Sequence, residues 1–169
     1  AGVLRDAALG TMVQSIRIEG VTEGATPVAV YDLTLGNVQI TSVQEGSGSF
    51  DTLTFAYRQV ALTTKNADGS PGESFSYDVA AGHVDASIPT PTVGASLGEV
   101  PTPAKYFLLI DGLDGGSTDE QHVGWFEIDW FDFNIITELA GGRAPFEPVR
   151  VQLSLNDGLA GVLRDAALG

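Results

Sequence analysis

Residues 1–10 read AGVLRDAALG, and residues 160–169 read AGVLRDAALG again. Ten identical residues do not recur by chance in a chain of 169, and their offset of 160 − 1 = 159 residues reads as one period of a tandem array. A circular permutant carrying a duplicated segment is the other account, and the array is the simpler one. The chain is then a window slightly longer than one repeat. This feature constrains the fold more than any local pattern, because a missed repeat misplaces every domain boundary.

Within the period, apolar and polar residues alternate with period two, the mark of strands that bury one face. The alternation covers residues 15–20, 28–43, 52–64, 74–79, 105–111, 124–137 and 146–155. Gly36-Asn37 interrupts the second stretch as a bend or turn, and Asn66-Ala67-Asp68-Gly69 ends the third. Pro148 lacks a ladder donor and puts the start of the last strand at an edge. Seven or more strands at this spacing predict an all-β domain, a barrel or sandwich of two antiparallel sheets, with many of the 21 glycines and 8 prolines in turns.

One short α-helix is expected beside the strands. Asn156 or Asp157 caps it by accepting from free N–H groups of the first turn. Leu159, Val162, Leu163 and Ala166 give it one apolar stripe, and Gly169, equivalent to Gly10, suits the left-handed residue that ends a helix. The repeated decapeptide is most of this helix, so cutting there splits an element. Residues 81–103 have no sustained periodicity and carry Pro89, Pro91, Pro101 and Pro103. They read as an inter-repeat linker able to span about 75 Å when stretched. The domain therefore starts with residues 104–169 and continues, in the next copy, through residues 1–80.

Charge narrows the partners. The formal net charge is −14, from 22 acidic and 8 basic residues, which excludes the basic footprint that nucleic acid requires. No apolar run approaches the roughly 20 residues of a membrane helix, so no membrane span is expected. Cysteine is absent from the sequence, which removes disulfides, thiolate zinc sites and cysteine nucleophiles. Acidic, lysine-poor, turn-rich arrays are commonly extracellular or cell-surface proteins, and that location is expected here.

Several constellations invite chemistry. Asp111, Asp114 and Asp119 gather carboxylates in a glycine-rich loop, as calcium sites do, but not at EF-hand spacing. They are weak calcium candidates beside the simpler expectation of a solvated loop without metal or cofactor. Ser117, Asp119 and His122 have the residue types of a nucleophile, an orienter and a base. Crowded into one loop, they lack the spatial arrangement that triads use. Glu127, Asp129 and Asp132 are paired-carboxylate candidates for glycoside hydrolysis, yet on one strand they read better as solvated or lumen-facing charge. No catalytic residue is assigned, and an enzyme is not expected. Strict alternation places Trp125, Phe131 and Phe133 on one strand face and Phe126 and Trp130 on the other. Both faces are then partly apolar. Trp125, Phe126, Trp130 and Phe131 are accordingly the candidate oligomer-interface residues.

Taken from residue 104 onward, the sequence resembles the haemolysin-coregulated (Hcp) family, the tube protein of type VI secretion. The resemblance rests on YFLLIDGLDGGSTDEQHVGWFEIDWFDF, with Asp111-Gly112, Gly116-Ser117-Thr118-Asp119, His122, Trp125 and Glu127 in the family's order. It continues through YDLTLGNVQITSVQEGSGSFDTLTFAY and the closing KNADGSPGESFSYDV. It covers nearly all of the domain, though not the linker. Gly116 stands where the family usually has Glu, the loop after the Trp strand is short, and domains are concatenated where the family normally has one per chain. The resemblance implies a β-barrel flanked by one helix, six-membered (hexamer-like) homo-oligomeric rings stacked into a tube, and a lumen able to hold cargo. A non-catalytic spacer or carbohydrate-binding module of a surface adhesin is the alternative.

Overall fold

A computed structural model describes residues 12–45, 50–79, 81–84, 102–135 and 146–154. Nine strands are found among them: β1 (Met12–Val21), β2 (Ala29–Glu45), β3 (Phe50–Ala56), β4 (Gln59–Lys65), β5 (Pro71–Asp78), β6 (His83–Val84), β7 (Lys105–Ile110), β8 (Phe126–Asp132) and β9 (Val149–Ser154). The fold is all-β. Its strands form one antiparallel sheet in the order β1-β7-β8-β9-β3-β2-β4-β5-β6 and not the two sheets expected. The predicted helix over residues 156–169 lies outside the described residues, and no helix occurs among those described.

A single sheet results because β1 pairs on both edges. It lies against β7 on one side and β2 on the other, so β1–β2–β3–β9–β8–β7 closes a circuit of antiparallel ladders. Strands β4, β5 and β6 continue from the second edge of β2, beyond the circuit. Closure leaves the six circuit strands little free edge, the feature that otherwise invites aggregation.

The long β2 explains how this is done. The expected bend at Gly36-Asn37 is not a turn, since the strand runs through it and pairs with β1 from Ala29 to Gln39. What changes there is phase: Leu33 and Leu35 are buried before it, Val38 and Ile40 after it. Asn37, at φ 51°, absorbs the odd residue, a left-handed conformation that Asn tolerates better than most side chains. The predicted strand over 52–64 divides at the same level. Arg58 donates its N–H to Gly36 O at 3.1 Å and accepts at its carbonyl from Val79 N at 2.7 Å. Strand β3 can thus leave for β9 while β4 leaves for β5.

The core lies on the inner face of the circuit. Ile16, Ile18, Leu35, Leu53, Phe55 and Leu108 are at most 1% exposed. Each such side chain contributes about 1.5–3 kcal/mol through removal from water. The first residues of the predicted linker are ordered, with β6 paired to β5, and Ala104, the residue that follows the linker, donates its N–H to Val21 O at 2.8 Å.

Candidate functional site

The loop between β7 and β8 folds back onto the outer face of β1 and assembles the most polar buried site among the described residues. Glycines make the loop possible. Gly112, Gly116 and Gly124 all have φ near +79°, where a side chain would be strained. Gly115 N donates to Gly124 O at 2.7 Å, Ser117 N to Trp125 O at 2.9 Å and Gly124 N to Ser117 O at 2.9 Å. At Gly115 a Cβ would overlap the backbone of Trp125 and Phe126.

This small ladder presents His122. Its ring stacks on Phe107 with centroids 4.1 Å apart and planes 2° from parallel, and Trp125 meets it edge-on at 5.0 Å. His122 is 3% exposed, and carboxylates address both nitrogens: Asp119 Oδ1 at 2.8 Å from Nδ1, Glu19 Oε2 at 2.9 Å from Nε2. The Glu19 carboxylate, in turn, meets the Arg17 guanidinium. Arg17 grips Asp32 with two bonds, Nε to Oδ1 at 3.0 Å and Nη2 to Oδ2 at 2.7 Å, and lies 5.9 Å from the Trp125 ring centre. A chain of polar contacts thus runs Asp32–Arg17–Glu19–His122–Asp119, linking β2, β1 and the loop. Hydrogen bonding to His122 holds the Asp119 carboxyl below its usual range, and bonding to Asp32 raises the Arg17 pKa further.

The arrangement is not a nucleophilic triad. Ser117 Oγ accepts from Asp119 N at 3.2 Å, while the ring nitrogen that would take its proton faces Glu19. A base needs a nitrogen within reach of the nucleophile, and here both are taken. The calcium candidates do not converge either. Asp114 Oδ1 accepts from Gly116 N at 2.9 Å, and Asp119 Oδ1 accepts from the N–H groups of Gln121 and His122. Asp111 is exposed, and no group of three potential metal ligands is found among the described residues. Of the glycosidase candidates, Glu127 pairs with Phe107, Asp129 sits exposed between Ile128 and Trp130, and Asp132 pairs with Arg150.

The four interface candidates separate. The register of β8 against β9 shifts between Ile128 and Trp130, which breaks the strict alternation assumed from the sequence. Phe126 and Ile128 are buried, and Phe131 joins the same inner side against Tyr106 at 5.1 Å and Tyr31 at 5.5 Å. Burial pushes the Tyr31 hydroxyl up to about 12. Phe126, at 3% exposure, is core and unavailable to a neighbour, and Trp125 is engaged by His122. Trp130 remains, 49% exposed on the outer face.

Sequence reasoning missed what surrounds Trp130. The pairs Trp130–Gln152, Gln152–Thr52 and Thr52–Gln44 place these four side chains in one row across β8, β9, β3 and β2. Thr54 and Ser42 pair in the next row, beside Arg150 and Asp132 of opposite sign. In a chain of net charge −14, the β9, β3 and β2 part of this belt carries no acidic side chain, while Asp129 and Asp132 flank Trp130 on its own strand. Its signal was the run of Thr, Gln and Ser at alternate positions, readable only once strand order was known.

Compared with protein-family models and with curated proteins, the chain matches none.

Proposed function

We propose that this chain is a structural repeat whose closed strand circuit is a barrel of the Hcp-like kind, and that copies assemble into stacked rings as a tube or fibre. The observation that carries this reading is the belt around Trp130. Two like copies carrying −14 each repel over most of their surface, and contact is least costly where an exposed aromatic adjoins rows of Gln, Thr and Ser free of acidic side chains. The inner side of β8 is already filled by Phe126 and Ile128, so the fold itself does not require Trp130. The 159-residue period supports many such units on one chain, with residues 81–103 joining successive domains covalently. A tube joined in this way resists pulling, because parting its rings means stretching a chain and not only peeling an interface. Its setting in this reading is extracellular, with itself as partner, a lumen free for cargo, and no catalysis.

Electron microscopy of concentrated protein tests it. Rings or hollow filaments of uniform width are the expected result, and single particles at every concentration overturn the reading. The adhesin alternative has the same tryptophan in its favour, since an exposed aromatic among Gln and Thr also suits a sugar face. Binding to a glycan array without self-association would favour it.

A further inference from the structure

Strict alternation from the buried Ile128 would turn Trp130 into the core and Phe131 out to solvent. The irregularity between Ile128 and Trp130 reverses both: Phe131 packs against Tyr106 and Tyr31, and the indole stands 49% exposed. A bulge that re-aims a side chain in this way is a specified feature of a strand and not a defect. The residue inside the irregularity, Asp129, is exposed beside Trp130, and Asp132 follows on the same strand. The outward tryptophan is thus flanked by acid.

A second feature lies across the circuit. In the order β1–β2–β3–β9–β8–β7, strand β2 stands opposite β8, equally far from it in either direction. On the outer face of β2, β4 and β5, Thr34, Ala61 and Ser76 fall in one row and Gly36, Gln59 and Asp78 in the next. The first row has small side chains and Gly36 has none, so the surface sinks into an open groove of about 290 Å³. Its margins are basic. Arg17, with 43% of its side chain exposed, pairs with Thr34 across β1–β2, and the exposed Arg58 and Lys65 bracket β4. Asp78 is the acid of the lining, and its carboxylate accepts from Ala81 N at 2.7 Å.

We infer that Trp130 of one copy seats in the β2–β4–β5 groove of the next, so that contact between copies runs head to tail. The inference rests on the reading of the Trp130 belt as a contact between copies, and it names the surface that the belt meets. Charge selects a second copy as the occupant: Asp129 and Asp132 beside the indole meet Arg17, Arg58 and Lys65 around the groove, in a chain of net charge −14. Thr34, Gln59 and Ser76 offer the oxygen that an enclosed indole N–H requires. Placement sets the outcome. With tryptophan and groove on opposite sides of the circuit, each contact leaves one of each free, and a heterologous contact of this kind propagates and does not stop at a pair.

Two full-length variants test it. Ala61→Arg fills the groove from an exposed position, and Trp130→Ala removes the indole; circular dichroism and the urea midpoint of each should match the parent's. In sedimentation velocity, each variant alone is expected to stay monomeric at concentrations where the parent associates. Mixed in equal amounts, they should form dimers and nothing larger, because the remaining intact pair is Trp130 of the Ala61→Arg chain with the groove of the Trp130→Ala chain. Undiminished association of Ala61→Arg would refute the groove as receptor and leave the tube reading standing. A mixture of folded variants that stays monomeric overturns head-to-tail contact. A parent chain that is monomeric at every concentration removes both readings.

Discussion

Glu19 and His122 lie 103 residues apart in the chain and 2.9 Å apart in the fold. Both are largely buried, at 9% and 3% exposure, and the contact ties the β7–β8 loop to β1. A buried polar pair of this kind adds little net stability over an apolar pair, but breaking it is costly, because one partner is left desolvated and unpaired.

Glu19→Ala is therefore expected to lower stability by about 3 kcal/mol, measured as a shift of the urea midpoint at constant slope. Glu19→Gln keeps an oxygen facing Nε2 and should recover part of the loss. Equal losses for both variants would show that charge and not hydrogen bonding holds the loop.

Acid should loosen the same loop. The Asp119 carboxyl is depressed in the folded protein, chiefly by its bond to His122. Its stabilising contribution is complete above the unfolded value of about 4 and is lost as pH falls through the lower folded value. Replacing His122 by Phe removes that bond while keeping a ring on Phe107. The variant's stability should fall less steeply below about pH 4 than the parent's, as read from urea unfolding at stepped pH.

Gly115→Ala should cost more than Gly69→Ala. At Gly115 the new Cβ meets backbone that cannot yield, whereas at Gly69 the space is open and only the φ of +80° is strained. About 2–3 kcal/mol is expected at the first and about 1 kcal/mol at the second, from thermal or urea unfolding.

Trp130→Ala should leave the monomer's stability within about 0.5 kcal/mol while abolishing self-association by light scattering. Phe55→Ala, in the sealed core, should cost about 3–5 kcal/mol. A large stability loss at Trp130 would mean that its ring serves the fold, and the belt would lose its claim as an interface.

At Asn37 the left-handed backbone makes a sharp contrast available. Asn37→Gly should be neutral or slightly stabilising, and Asn37→Val should cost about 1–2 kcal/mol, because a β-branched residue is disfavoured at φ 51°. Chemical denaturation decides between them.

The sequence by itself determined the all-β class and most strand positions, because alternation reports directly which residues one face of a sheet will bury. Residues 105–111 became β7 and 28–43 became β2; Pro148 does precede the first residue of β9, but β9 pairs with β8 and β3 on its two sides and is not the edge expected. The recurrence of AGVLRDAALG at an offset of 159 residues, too, is legible without coordinates. Alternation failed wherever phase changed: at Asn37, at the break between β3 and β4, and at the bulge in β8 that sent Phe131 inward beside Phe126. A bulge is one residue of irregular backbone, and period-two reasoning has no means of placing it.

Only tertiary structure decided the site and the closure. Residue types in the loop suggested a Ser117–Asp119–His122 grouping, but the partner that claims Nε2 is Glu19, from a strand no local pattern connects to that loop. The Trp130 belt similarly depends on β8, β9, β3 and β2 being neighbours in that order. Periodicity records how each strand meets the core; which strands meet one another is set by long-range pairing, and that is where the polar network, the belt around Trp130 and the closure of the circuit arise.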